Sequence, residues 1–204
     1  GDDYLSSLID RRPKFKWYKP SVARLSEIDW NHINVFPTEH DYNKQFSIFI
    51  DLMQKGGTLI YCKDDEALKE IVENSRNDIK KIPYSVPNYE IEDGTTTLIT
   101  SNGSIPLEIF GKHNLLNLNG ARLVFNALGI KDDQFYKSIS NFNGAANRLE
   151  LVSIKSENRL YKDFAHAPSK VKATVEAVRD QFPEHKFVAC LELHTFSSLN
   201  KNFL

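Results

Sequence analysis

An α/β fold is what this sequence predicts, and three observations carry it. Thr58-Leu59-Ile60-Tyr61-Cys62 is a near-continuous apolar run behind Gly56-Gly57, the pattern of a strand buried on both faces. Segment 41–54 sets Tyr42, Phe46, Phe49, Ile50 and Met53 at helical spacing. After residue 142, two strand patterns, a helix opened by Pro168 and the apolar run 187–191 follow in turn. Strand–helix–strand order predicts a parallel α/β unit.

The remaining elements follow along the chain. Residues 22–28 read as a short strand, and Asp64 reads as the cap of a helix over 65–73. Residues 75–95 give room for one or two short strands without a clear pattern. Segments 97–100 and 105–110 alternate around Asn102-Gly103, a hairpin signal. A helix begins at His113, carries Leu118, Ala121, Val124, Phe125 and Leu128 as its stripe, and ends near Gly129 as a C′ glycine. A second helix spans 132–141. Strands at 149–154 and 160–164 flank Ser156-Glu157-Asn158, and the helix after Pro168 carries Val171, Val175, Val178 and Phe182. A domain boundary is expected at 142/143, giving domains 1–142 and 143–204.

Composition narrows the class. In 204 residues, 41% are hydrophobic and 26% charged, as in a globular domain, and the net charge of −1 offers no field for nucleic acid or an acidic membrane surface. The aromatic–basic stretch from Arg11 to Tyr18 is therefore not read as a nucleic-acid surface, because no basic stripe accompanies it. Cys62 and Cys190 each sit in an apolar run, the setting of buried free thiols rather than of a disulfide framework. With no leader and no run of membrane-spanning length, a cytoplasmic location is expected. The chain opens on Gly1-Asp2-Asp3-Tyr4 without an initiator Met, as though within something longer.

The chemistry-bearing residues gather at element ends. His113, Asn114 and Asn117 fall on the first turns of a helix, three and four apart, so they share a face. Helix N-termini favour anions, and Asn amides there can read a base edge; the alternative is helix capping. Arg148 follows the Asn143-Gly144 turn, where a guanidinium fork suits a phosphate; the alternative is an ion pair with Glu150. Asp163-Phe164-Ala165-His166-Ala167-Pro168 closes a strand and opens a helix, the place where α/β sheets hold ligands, with Asp163 able to accept ribose hydroxyls. His194-Thr195 stands after the next strand pattern. His32 follows the first strand and is a metal or phosphate candidate or a plain loop residue; Asp2 and Asp3 are oxygen donors of the kind Mg²⁺ prefers, or solvated charges. No Gly-x-x-x-x-Gly-Lys-Ser/Thr loop and no Gly-x-Ser-x-Gly elbow occurs.

Together these segments resemble the ATP-dependent Mur ligases of peptidoglycan synthesis. Gly111-Lys112-His113-Asn114, Asn117 and Ala121 are similar to that family's adenine segment, and Phe142-x-Gly144-x-x-x-Arg148-x-Glu150 resembles its hinge motif. Asp163-Phe164-Ala165-His166-x-Pro168 resembles the motif that follows, and Asn31-His32 resembles an Asp-His pair whose His helps hold Mg²⁺. The motifs run through the whole chain in family order. Gly1-Asp2-Asp3-Tyr4, Ile9 to Phe15, Tyr18-Lys19-Pro20 and Asn34 to Pro37 resemble the recycling subgroup, which joins UDP-N-acetylmuramate to the tripeptide L-alanyl-γ-D-glutamyl-meso-diaminopimelate.

The resemblance implies the end of a central P-loop-type ATPase domain followed by the first half of a Rossmann-like C-terminal domain, and therefore a fragment. It implies ATP and Mg²⁺ as cofactors, and UDP-N-acetylmuramate and a murein tripeptide as substrates. His113, Asn114 and Asn117 would hold adenine, and Asp163 and His166 would complete the nucleotide set. Arg148 would serve the phosphates and the chemistry, and His32 the metal and the chemistry. Arg148 and Asp163 lie beyond the hinge, which implies that domain closure completes the site. Departures stand at Asn31, Asn147 and Ala167, and at Leu193-His194-Thr195, which bears on the incoming amine. Other readings are a ligase of the UDP-N-acetylmuramate–L-alanine, folylpolyglutamate or cyanophycin type, or a non-catalytic relative.

Overall fold

The computed structural model describes residues 9, 13–30, 36 and 38–192. They form two compact units. The first comprises Gly1–Ser85 and Asn119–Ile130, and the second Val86–Leu118 and Lys131–Leu204.

In the first unit a three-stranded parallel sheet runs in the order β1 (Val22–Leu25), β2 (Thr58–Cys62), β3 (Lys80–Tyr84). The central strand β2 is the buried one, with Leu59 and Ile60 fully inaccessible, as its apolar run requires. Pro83 is tolerated because β3 lies at the sheet edge, where a missing N–H breaks no central ladder. The crossover helices are α1 (Glu39–Asp51) and α2 (Glu66–Glu73), which bury Tyr42 and Ile50, and Leu68 and Val72. Thr38 caps α1 by accepting from the Asp41 N–H at 3.1 Å. Phe15, in a short 3-10 helix (Lys14–Trp17), packs edge-on to Phe49 with ring centroids 5.4 Å apart. The cap of α2 is Asp65, one residue later than expected. Its Oδ1 accepts from the Leu68 N–H at 2.9 Å and its Oδ2 from the Ile28 N–H at 2.6 Å. That second bond draws Ile28 away from the sheet, consistent with β1 ending at Leu25 rather than at residue 28.

In the second unit an antiparallel meander runs β4 (Tyr89–Glu92), β5 (Thr95–Thr100), β6 (Gly103–Leu107). The unclear segment 75–95 thus holds β3 and β4. The β4–β5 turn is Asp93-Gly94 with φ of 48° and 72°, the left-handed pair that two-residue hairpins favour. The second hairpin forms where Asn102-Gly103 signalled it, but Thr100 pairs with Gly103, so the loop is Ser101-Asn102. Helix α3 (Lys112–Ala127) follows, its residues 112–118 grouping with the second unit and the rest with the first. Gly129 (φ 88°) closes it, and the Ile130 N–H reaches back to the Phe125 carbonyl at 3.0 Å, as expected of a C′ glycine. The apolar stripe of α3 is buried at Leu118 but fades outward, with Phe125 41% and Leu128 63% exposed.

Helix α4 (Asp132–Ile139), the hairpin β7 (Glu150–Lys155) and β8 (Asn158–Lys162), and α5 (Pro168–Gln181) complete the unit. Phe110, Leu149 and Ala177 form its buried cluster, with Tyr161, Val178 and Phe182 packed around them. Gln181, 3% exposed, accepts from the Thr96 hydroxyl at 2.7 Å and donates to the Gly94 carbonyl at 2.6 Å. Packing thus groups β7, β8 and α5 with β4–β6.

One expectation fails here. Residues 187–191 form no strand, Val188 is 79% exposed, and Cys190 is exposed instead of buried. A parallel strand is held only by hydrogen bonds to a neighbouring strand, and none pairs with this run among the described residues. The parallel strand–helix–strand unit after residue 142 is accordingly not formed there; β7 and β8 pair antiparallel. No helix among the described residues is long and apolar enough to cross a membrane.

Candidate functional site

Of the site residues in the second unit, Asp163 and Arg148 come near His113, where α3 begins. Gly111 (φ 89°) turns the chain into α3 in a left-handed conformation, and a Cβ there would lie 2.6 Å from the Ala177 Cβ. The same Cβ would lie 3.2 Å from the His113 Cε1, so the imidazole folds back over the turn. His113 is half-buried, and its Nδ1 is buried without a hydrogen-bond partner among the described residues. Burial pushes its pKa down from 6.5; Asp163 pulls it up and Arg148 pushes it further down. Asp163 and Arg148 are therefore each within electrostatic reach of His113, and the imidazole is neutral at neutral pH.

The two asparagines are not equivalent. Asn114 turns its Nδ2 back to donate to the Phe110 carbonyl at 2.9 Å, a local bond but not a helix cap, in which the side chain would accept from an N–H, while its Oδ1 remains a further acceptor. Asn117 is exposed.

Arg148 rides on a tightly held loop. Asn147 and Leu149, on either side of it, have φ of 57° and 48°. The Arg148 N–H donates to the Ala145 carbonyl at 3.1 Å, and the Phe164 N–H to the Asn147 carbonyl at 3.0 Å. Glu150 accepts from the Asn147 N–H at 2.7 Å, and Arg148 is exposed. Asp163 accepts from the Leu149 N–H at 2.8 Å and the Ala165 N–H at 2.6 Å. His166 lies just before Ala167, the N-cap of α5, with its Nδ1 2.8 Å from the Phe164 carbonyl. A carbonyl only accepts, so Nδ1 is the donor in this contact.

His32, Asn31, Asp2, Asp3 and His194 lie outside the described residues. Among the described residues no group of three or more His, Cys, Asp or Glu side chains comes together as a metal centre. The sequence reading missed two polar residues that hold the architecture: Asp65, which was one position from the cap it identified, and Gln181, which sits off the apolar stripe of α5 and gave no signal.

The Mur ligase middle domain matches residues 6–125, more than half of the chain. The chain belongs to the Mur ligase family. Among curated proteins, the UDP-N-acetylmuramate–L-alanine ligases of Clostridium tetani and Arthrobacter are each 25% identical, the first over 95% of this chain and 45% of its own length, the second over 96% and 44%. The chain thus spans less than half the length of these relatives. Among solved structures, MurF from Acinetobacter baumannii superposes with a TM-score of 0.68 over 90% of this chain and 41% of that one, at 19% identity. The murein peptide ligase of Psychrobacter arcticus gives 0.60 over 90% and 40%, at 18% identity. These likenesses establish the α/β Mur ligase fold.

Proposed function

We propose that this chain is part of an ATP-dependent amide-forming ligase that joins UDP-N-acetylmuramate to a murein tripeptide in peptidoglycan recycling. Residues 1–142 would be the later part of its ATP-binding domain and residues 143–204 the first part of its C-terminal domain. The observation that carries the reading is the grouping of His113, Arg148 and Asp163, with a buried imidazole nitrogen left without a partner. A buried polar atom without a partner costs free energy unless a ligand satisfies it. A base edge donating to or accepting from His113 Nδ1 would do so, with Asn117 and the Asn114 Oδ1 as further adenine contacts.

In this reaction class a carboxylate becomes an acyl phosphate and an amine displaces the phosphate. The protein's task is charge neutralisation and orientation. Arg148, exposed on a fixed loop, would meet the phosphates, and Asp163 and His166 would border the ribose side. His32 would help to hold Mg²⁺, which would supply positive charge at the phosphates.

A second reading takes L-alanine as the amine, and the curated relatives named above favour it. The experiment is an assay of the full-length protein with ATP, UDP-N-acetylmuramate and either the tripeptide or L-alanine. Amide formation with the tripeptide supports the first reading and with L-alanine the second. Absence of nucleotide turnover with either amine overturns both.

A further inference from the structure

Asn-Gly dipeptides stand at Asn102-Gly103, Asn119-Gly120 and Asn143-Gly144. In such a pair the glycine nitrogen can attack the side-chain carbonyl carbon of the asparagine before it, because no Cβ obstructs the approach. The attack needs that nitrogen free to give up its proton and the asparagine side chain free to turn. The three places differ in both respects. Asn119 lies within α3, donates to the Ser85 carbonyl at 2.8 Å and accepts from the Arg122 Nε at 3.1 Å. Gly120 is buried, and its N–H belongs to the helical ladder. Asn102 is exposed, but its Nδ2 donates to the Asp133 Oδ1 at 2.7 Å and its N–H to the Thr100 hydroxyl at 3.1 Å, while Gly103 pairs with Thr100 in the hairpin. Asn143 is exposed in the loop between α4 and β7. Among the described residues neither its side chain nor the Gly144 N–H makes a hydrogen bond.

We propose that Asn143 is the position at which this protein deamidates through a cyclic imide, and that the product loosens the loop carrying Arg148. The Gly144 nitrogen gives its proton to solvent base and bonds to the Asn143 Cγ. The Cγ–Nδ2 bond breaks, and Nδ2 takes up a proton and leaves as ammonia. Water then opens the imide at either carbonyl, giving aspartate or its β-linked isomer. One water enters, one ammonia leaves, and nothing is oxidised or reduced. The β-linked product adds a methylene to the main chain two residues before Ala145, whose carbonyl holds the Arg148 N–H at 3.1 Å. The added length falls where the chain is already close: a Cβ on Gly144 would lie 3.5 Å from the Ile109 Cγ2 and 3.8 Å from the Arg148 carbonyl oxygen. Neither half of the inference depends on which ligand the protein takes.

Peptide mapping by mass spectrometry tests the first half, on full-length protein kept at mildly alkaline pH. Asn143 is expected to convert at least about tenfold faster than Asn102, because groups held in hydrogen bonds must open before they react. Asn119, inside a helix, should be the slowest. The β-linked product is identified by its methylation with an isoaspartyl methyltransferase. In urea all three should convert at similar rates, since the dipeptide is the same. Conversion of Asn102 or Asn119 in the folded protein as fast as that of Asn143 overturns the proposal. So does a ranking that persists in urea, or an Asn143 that stays intact in the folded protein while it converts in urea.

Amide hydrogen exchange tests the second half. In aged protein the Arg148 and Leu149 amides should exchange faster than in fresh protein, while Leu98 in the meander keeps its protection. Asn143→Gln, whose longer side chain would close a less favourable ring, should exchange alike before and after ageing. Unchanged exchange at Arg148 and Leu149 in the aged, converted protein overturns the loosening. Equal acceleration in aged Asn143→Gln traces the change to another position and overturns it as well.

Discussion

His113 shows how a single side chain can be tuned by its setting. Burial is the main cause of its lowered pKa, so folding favours the neutral ring. The sign follows from linkage. Above 6.5 both folded and unfolded chains hold a neutral imidazole, and stability is at its full value. As pH falls through 6.5 the unfolded chain takes up a proton that the folded chain resists, and stability drops until the lowered folded pKa is reached. Urea unfolding between pH 7.5 and 5 should therefore slope downward, and His113→Gln should flatten the slope; equal slopes refute the assignment. Arg148 makes the opposite prediction. Arg148 is an exposed residue, so Arg148→Ala should leave stability within about 0.5 kcal/mol. Under the proposed function it should weaken ATP binding by roughly tenfold or more, the worth of a charged hydrogen bond, as read by calorimetric titration of the same chain. That His113, Asn114 and Asn117 share one helix was legible because spacing within a helix is local. That Asn114 bonds Phe110, or that Asp163 holds Leu149 fourteen residues away, was not, because both depend on how loops fold back.

Elements meet in the second unit through small residues and one buried amide. Gly111 admits α5, since a Cβ there would clash with Ala177 and adopt φ 89°. Gly103 also has a positive φ, 117°, but open space around it. Gly111→Ala should therefore be the costlier substitution, by about 1–3 kcal/mol of overpacking beyond the shared backbone strain, in thermal unfolding of the two variants. Gln181 ties α5 to the Asp93-Gly94 turn and to Thr96. Gln181→Met keeps the volume but leaves the Thr96 hydroxyl and the Gly94 carbonyl unsatisfied, which should cost about 1–3 kcal/mol, measurable by chemical denaturation. Adding Thr96→Val should recover part of that loss, because it removes one unsatisfied group; no recovery would mean that the pair is not coupled. At this scale helix ends were readable from Gly129, Pro168 and Asp64 to within a residue. The Asp93-Gly94 hairpin carried its signal too, in a dipeptide that the unclear surrounding pattern masked.

For the whole molecule, membership of the Mur ligase family rests on residues 6–125, while the activity belongs to a longer protein in the relatives. The 204 residues contain no Gly-x-x-x-x-Gly-Lys-Ser/Thr phosphate loop. The chain by itself is therefore expected to form no ligated product from ATP, UDP-N-acetylmuramate and tripeptide, followed by chromatography of the UDP-sugar; product would refute this. The sequence by itself determined the α/β class, the strand β2, the helices and the ordered motifs, because periodicity, caps and motif spacing are properties of neighbouring residues. Tertiary structure decided the rest. Residues 187–191 have strand composition, yet a strand exists only against a partner, so Val188 and Cys190 stand exposed. Gln181 is polar in sequence yet buried, because Thr96, eighty-five residues earlier, meets it. The fate of Asp163 was likewise set by the two main-chain N–H groups that the folded loops bring to its carboxylate.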